Sequence, residues 1–240
     1  MFEEVIIKGL ASELASYKSK DLNVYFEGVK YDYPGISSAN LSRLVKLNAF
    51  NRQLELKELV GDSMQNSYTK WELNKWIVHQ WGGIPRFDIS NHDRITKFRD
   101  HLQKGAITAR EFDRISSLSK IASFVSRDSF FIYDSRVAFS LDGLLLKMKQ
   151  NRPQLPIKFF PIPSARNARD RRMKTLIIQS DPNAVFLSKE EAYIEYNKLI
   201  LCLSKEKELK KDLPPRWIEM LLFALGKTNG IIETMMISYK

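Results

Sequence analysis

Between Leu118 and Gln150 the chain changes character three times, and no other stretch constrains the fold as tightly. Lys120-Ile121-Ala122-Ser123-Phe124-Val125 has the composition of a helix, and Ser126-Arg127-Asp128-Ser129 breaks it. Phe130-Phe131-Ile132-Tyr133 is a short apolar run, after which Asp134 opens a second helix. In that helix Val137, Leu141, Leu144, Leu145 and Met148 recur at helical spacing, so one face is built for a core. Asp134 stands where a carboxylate can accept the unpaired N–H groups of the first turn.

Helical signals recur along most of the rest of the chain. Residues 1–18 read as an amphipathic helix with Val5, Ile6, Leu10 and Leu14 on one face. Tyr31-Asp32-Tyr33-Pro34-Gly35 reads as a turn, after which Ser37 or Ser38 caps a helix bearing Leu41, Leu44, Val45 and Leu47. Thr69 to Trp81 predicts a helix with Trp71 and Trp76 in the core, stopped by Gly82-Gly83 and Pro85. Asn91 or His92 starts the next, through Ile95, Phe98 and Leu102 to Gly105. Thr108 with Glu111 three residues on matches a capping box. Lys189 to about Leu209 and Pro215 to Gly226 read as two further helices. Asn151 to Thr175 is the exception, since Pro153, Pro156, Pro161 and Pro163 bar a long helix there and predict an irregular stretch. The expected fold is mainly α, with few or no strands. The whole chain of 240 residues reads as one unit, with candidate lobes 36–150 and 1–35 plus 176–240 joined by residues 151–175.

Composition narrows the function classes. Hydrophobic residues make up 44%, well above a disordered chain. No stretch reaches the roughly 18 consecutive apolar residues of a membrane span. Glu3 and Glu4 follow Met1-Phe2 directly, where a signal peptide would need a basic start and an apolar run. A cytoplasmic protein without a membrane partner is therefore expected. The single cysteine, Cys202, excludes a disulfide within the chain and reads as packing on a buried helix face. His79, His92 and His101 lack metal-ligand spacing with acidic neighbours, so neither a metal nor a cofactor is assigned.

The formal net charge of +10 favours a polyanionic partner, nucleic acid before anionic membrane. Its distribution sharpens this. Arg166, Arg169, Arg171, Arg172 and Lys174 fall within nine positions, opposed only by Asp170 and interleaved with Ser164 and Asn167. Arginine forks fit phosphate oxygens, and short polar side chains add donors. A solvated basic loop without a partner is the plain alternative. Phe159 and Phe160 lie just before this run. They could stack on unpaired bases or pin the loop to the core.

Lys120 and Asp134 form the constellation with chemistry. Fourteen positions apart, each at a helix start in this reading, they could line one cleft. A desolvated lysine amine loses affinity for its proton and becomes a nucleophile. A neighbouring carboxylate can stabilise positive charge on a deoxyribose ring or orient water. By spacing alone, a plain N-cap and a solvent-facing lysine explain the two residues as well.

Ser119-Lys120-Ile121-Ala122-Ser123-Phe124 followed by Phe131-Ile132-Tyr133-Asp134-Ser135-Arg136-Val137-Ala138 resembles the catalytic helix and following aspartate of the helix-hairpin-helix DNA glycosylase superfamily. The likeness is greater to bacterial proteins with an 8-oxoguanine DNA glycosylase fold. Trp81-Gly82-Gly83, Pro161-Ile162-Pro163-Ser164-Ala165-Arg166-Asn167, the segment Tyr193 to Tyr196, and Ile218-Glu219-Met220-Leu221-Leu222-Phe223-Ala224 resemble further motifs of that group, in the same order. The resemblance covers roughly residues 70–225 and implies two helical lobes around a cleft. It makes Lys120 the amine that attacks the sugar anomeric carbon and Asp134 the carboxylate that assists base departure. Ile115-Ser116-Ser117-Leu118-Ser119 carries none of the glycines of the superfamily's phosphate-binding turn, which leaves that turn's geometry open.

A base-flipping enzyme needs an aromatic pocket, for which Trp81, Tyr133, Phe159 and Phe160 are the candidates. The implied partner is duplex DNA with one base extruded, and no obligate protein partner is evident. The implied substrate is an oxidised purine or a modified cytosine of phage DNA, such as a glucosylated hydroxymethylcytosine. A DNA-binding protein that keeps the fold without catalysis is the alternative. A module docking its basic loop onto an acidic protein is a third.

Overall fold

The computed structural model describes residues 2–17, 37–64, 71–85, 92–163, 168–209 and 214–226. The protein is mainly α-helical, with eleven α-helices and two short strands among these residues. The helices are α1 (Glu4–Ala15), α2 (Ser38–Val45), α3 (Ala49–Met64), α4 (Trp71–Lys75), α5 (His92–Gln103), α6 (Ala109–Phe112), α7 (Ile115–Val125), α8 (Ser135–Asn151), α9 (Ala168–Ser180), α10 (Lys189–Leu203) and α11 (Pro215–Leu225). Strands β1 (Lys158–Phe159) and β2 (Val185–Phe186) flank α9 and pair in parallel, Lys158 opposite Val185 and Phe159 opposite Phe186.

Helix α8 is the axis of the fold. Every residue from Val137 to Leu146 is buried, so the helix is covered on all sides. Helices α11, α9 and α1 supply the cover. Helix α11, buried from Ile218 to Leu225, runs antiparallel to α8. Ser140 Oγ donates to Leu222 O at 2.7 Å, and Gly226 lies against the Arg136 carbonyl, where a Cβ would fall 2.2 Å from the oxygen. One large apolar cluster runs from Ile6 to Leu225, and a smaller one gathers Leu44, Leu56, Val60, Leu73, Trp76, Ile77 and Phe124.

Local sequence signals set several boundaries. Asp134 is the N-cap of α8. Thr108 and Glu111 form the capping box of α6, and Ser37 caps α2. Gly83 and Gly105 take positive φ (64° and 68°) just past helical segments, a conformation that glycine adopts without strain. The turn at Tyr31–Gly35 lies outside the described residues.

Four expectations are corrected. The stretch 151–175 is not wholly irregular, because Pro163 is its last proline and α9 begins at Ala168, so Arg169, Arg171, Arg172 and Lys174 belong to a helix. The helix expected to reach Trp81 becomes a π-helix from Trp76, and Gly82 N bonds to Ile77 O at 2.8 Å, five residues back. Helix α10 stops at Leu203, although Leu209 is still buried beyond it. Cys202 is exposed, because Leu199, Ile200 and Leu203 take the inner face of α10.

Candidate active site

Lys120 is not at a helix start. It lies mid-helix in α7, where every residue from Ser117 to Phe124 is buried. The segment Ile115–Ser119, which the resemblance would set against a glycine turn, is the first part of the same helix. The lysine is 2% exposed. Its Nζ donates to Ser116 O at 3.0 Å and to Asp134 Oδ2 at 2.9 Å. Sequence reasoning paired these two residues, and the structure joins them.

Asp134 uses both oxygens. Oδ1 accepts the Arg136 and Val137 N–H groups at 3.0 and 3.2 Å, and Oδ2 faces Lys120. Burial pushes its carboxyl up. The Lys120 ammonium, through charge and hydrogen bond, the Arg136 guanidinium and the Val137 N–H outweigh that and hold it below the ordinary aspartate value. Its side chain keeps 11% exposure, so the carboxylate is the more accessible member of the pair.

Three buried side chains position the extended run that delivers Asp134. Phe131 N donates to Asn197 Oδ1 at 2.9 Å, Ile132 N to the Glu219 carboxylate, and Tyr133 N to Ser119 Oγ at 3.0 Å. These acceptors come from α10, α11 and α7. A buried N–H without an acceptor is costly, so each bond fixes register as well as conformation.

A second buried ion pair braces the same place. Lys57 Nζ of α3 lies 2.7 Å from both oxygens of Glu219, and both side chains are fully buried. The ammonium also lies 5.6 Å over the Phe124 ring. Desolvation lowers the Lys57 pKa and raises that of Glu219, each against the pull of its partner.

The Trp81-Gly82 turn packs beside Lys120. A Cβ on Gly82 would fall 2.8 Å from Lys120 Cδ. Trp81 Nε1 donates to Gln53 Oε1 at 2.9 Å, its ring meets Phe124 edge-on at 5.0 Å, and it stacks near Phe223 at 6.4 Å. The Arg136 guanidinium lies 5.0 Å over the Phe223 ring. Trp81 and Arg136 are each half-buried, so they present a cationic and aromatic edge beside the pair.

The other pocket candidates lie elsewhere. Tyr133, Phe159 and Phe160 are wholly buried in the core. Tyr133 OH donates to Pro161 O at 2.8 Å. Phe160 stacks on Phe2 at 5.6 Å, and Phe159 packs near Phe186 at 5.8 Å. They pin the segment to the core and offer no open ring near Lys120. Arg166, Asn167 and the side chain of Arg169 lie outside the described residues, while Arg171, Arg172 and Lys174 are exposed on α9. Asn197, Lys57 and Asp142 were missed, and Glu219 was seen only as part of the resembling C-terminal helix. For Asp142 and Glu219 the signal available was an acidic residue inside an apolar helical run, whereas Lys57 and Asn197 sit among other polar residues and gave none. Compared with protein-family models, curated proteins and solved structures, the chain finds no match.

Proposed function

We propose that the protein is a DNA glycosylase that excises a damaged or modified base, using Asp134 and Lys120. The observation that carries this is the 2.9 Å contact between Lys120 Nζ and Asp134 Oδ2 in a braced, nearly dry setting. Breaking an N-glycosidic bond sends the bonding pair to the departing base and leaves cationic character on the sugar. A carboxylate kept ionised, as Asp134 is, stabilises that charge, and does so more strongly where water is excluded. Water attack at the anomeric carbon then yields an abasic site. If Lys120 passes a proton to Asp134 and its amine attacks the anomeric carbon instead, the bond to the base breaks, and opening of the C1′–O4′ bond, with a proton going to O4′, leaves an iminium between protein and sugar, the route to strand cleavage. The net charge of +10 and the cations of α9 supply attraction to phosphate.

A second reading is favoured by one observation. Lys120 is enclosed and already engaged by Ser116 O and Asp134, as in a purely structural ion pair of a DNA-binding protein.

Borohydride trapping on duplexes containing oxidised guanine, uracil, abasic sites or glucosylated hydroxymethylcytosine separates the two. An adduct absent in Lys120→Gln supports excision with a lyase step. Abasic sites without an adduct, lost in Asp134→Asn, support excision by water. Neither product on any duplex, with DNA binding intact in both variants, supports the binding protein.

A further inference from the structure

A cavity of about 400 Å³ lies between α9 and the chain leading out of β1. That is within the roughly 300–1,000 Å³ of small-molecule sites. Phe160, Ile162, Ile178 and Phe186 give it apolar walls, two of them aromatic. Arg171 and Lys174, one turn apart on α9, stand at its edge and are exposed. The Lys174 ammonium lies 5.7 Å over the Phe186 ring.

Asp142 lines the cavity and is 0% exposed. Its Oδ1 accepts the Phe160 N–H at 2.8 Å, while its Oδ2 has no hydrogen-bond partner among the described residues. Apolar packing does not call for a carboxyl there, and a buried polar atom without a partner is costly. Burial pushes this carboxyl well above the ordinary aspartate value. Asp142 lies eight residues beyond Asp134 on the same helix, about 12 Å along its axis, so this is a separate place from the Lys120 pair.

We propose that this cavity is a nucleotide site, with the base between the apolar walls against Asp142 and the 5′-phosphate on Arg171 and Lys174. A nucleobase has a flat apolar body and N–H groups at its edge, one of which would meet Asp142 Oδ2. A fatty acid would suit the walls and the cations but leave Oδ2 unpaired. The nucleotide is either free or part of a strand. The proposal does not rest on base excision by Lys120 and Asp134.

Titration calorimetry tests it on the full chain with the four deoxynucleoside 5′-monophosphates, the matching nucleosides, a short single strand and decanoate. Expected is binding of at least one monophosphate, with its nucleoside weaker by about tenfold or more. Ile178→Trp, at a position 45% exposed, fills the cavity and abolishes binding. The Arg171→Gln/Lys174→Gln variant removes the advantage of the phosphate, and Asp142→Asn changes the base preference. Lys120→Gln leaves binding unchanged. Binding of the strand alone, lost in Ile178→Trp, supports the site with a nucleotide of the strand as occupant. No binding of any nucleotide or strand, binding that survives Ile178→Trp, or preference for decanoate overturns it. Thermal melts confirm that each variant is folded, Asp142→Asn and Lys120→Gln included, which are altered at buried positions.

Discussion

Ser119 Oγ accepts the Tyr133 N–H at 3.0 Å, one residue before Lys120 meets Asp134. Adjacent residues of α7 thus hold adjacent residues of the extended run that enters α8, and the hydroxyl sets where the carboxylate lies. Ser119→Ala leaves the Tyr133 N–H buried without an acceptor and should cost about 1–3 kcal/mol in urea denaturation. If the site excises bases, the variant also loses turnover beyond what its folded fraction explains. Ser119→Thr, which keeps the hydroxyl, restores part of it.

Lys57 and Glu219 should respond unequally to single and paired changes. Lys57→Met strands the Glu219 carboxylate in a fully buried place, a loss of about 3–5 kcal/mol. Adding Glu219→Gln removes the stranded charge while keeping an oxygen for the Ile132 N–H. The double variant is therefore more stable than Lys57→Met alone, as read from denaturant midpoints at unchanged m-value. Equal midpoints would mean that no charge was stranded.

The parts of this arrangement legible in the sequence are the local ones. A capping box needs two residues three apart, and an N-cap needs an aspartate ahead of an apolar period, so Thr108, Glu111 and Asp134 announce themselves. The resemblance pointed to Lys120 and Asp134. The bracing did not show, because Asn197 and Phe131 are 66 residues apart and Lys57 and Glu219 162 apart. One polar residue in an apolar helix gives no sign of which distant N–H it serves. Phe159 and Phe160 left two readings open for a related reason. Two adjacent aromatics beside a basic run carry no period, so their burial is decided by packing alone.

Asp142 and Asp134 should have opposite effects on stability as pH changes. The folded-state pKa of Asp134 lies below the ordinary value, so its contribution is present at neutral pH and is lost as pH falls through that folded value. The pKa of Asp142 lies well above it. As pH rises from the ordinary value near 3.8 toward the folded value, the unfolded chain releases this proton first and stability falls. Tyr133, Arg171 and Lys174 are the other charged or titratable groups around it among the described residues. Asp142→Asn should therefore melt higher than wild type near pH 7, with the difference shrinking toward pH 4, in calorimetric scans across that range. A constant difference would show that the carboxyl is not protonated in the fold.

Gly82 is the position where the smallest change should do the most harm near the candidate site. A Cβ there would lie 2.8 Å from Ile77 O, 2.8 Å from Val78 O and 2.8 Å from Lys120 Cδ. The lysine methylene could shift, but the two carbonyls belong to the π-helix and cannot move without unwinding it. Gly82→Ala should then cost about 1–3 kcal/mol through forced backbone displacement. The neighbouring Gly83, with positive φ and open space around a Cβ, separates two kinds of glycine effect. Gly83→Ala should be destabilising by about 1 kcal/mol from conformation alone and leave Lys120 undisturbed. A nitrogen-detected NMR signal of the Lys120 ammonium reads the distinction, moving in Gly82→Ala and staying in Gly83→Ala. If both variants moved it equally, the contact between Gly82 and the lysine would not be what holds the amine in place.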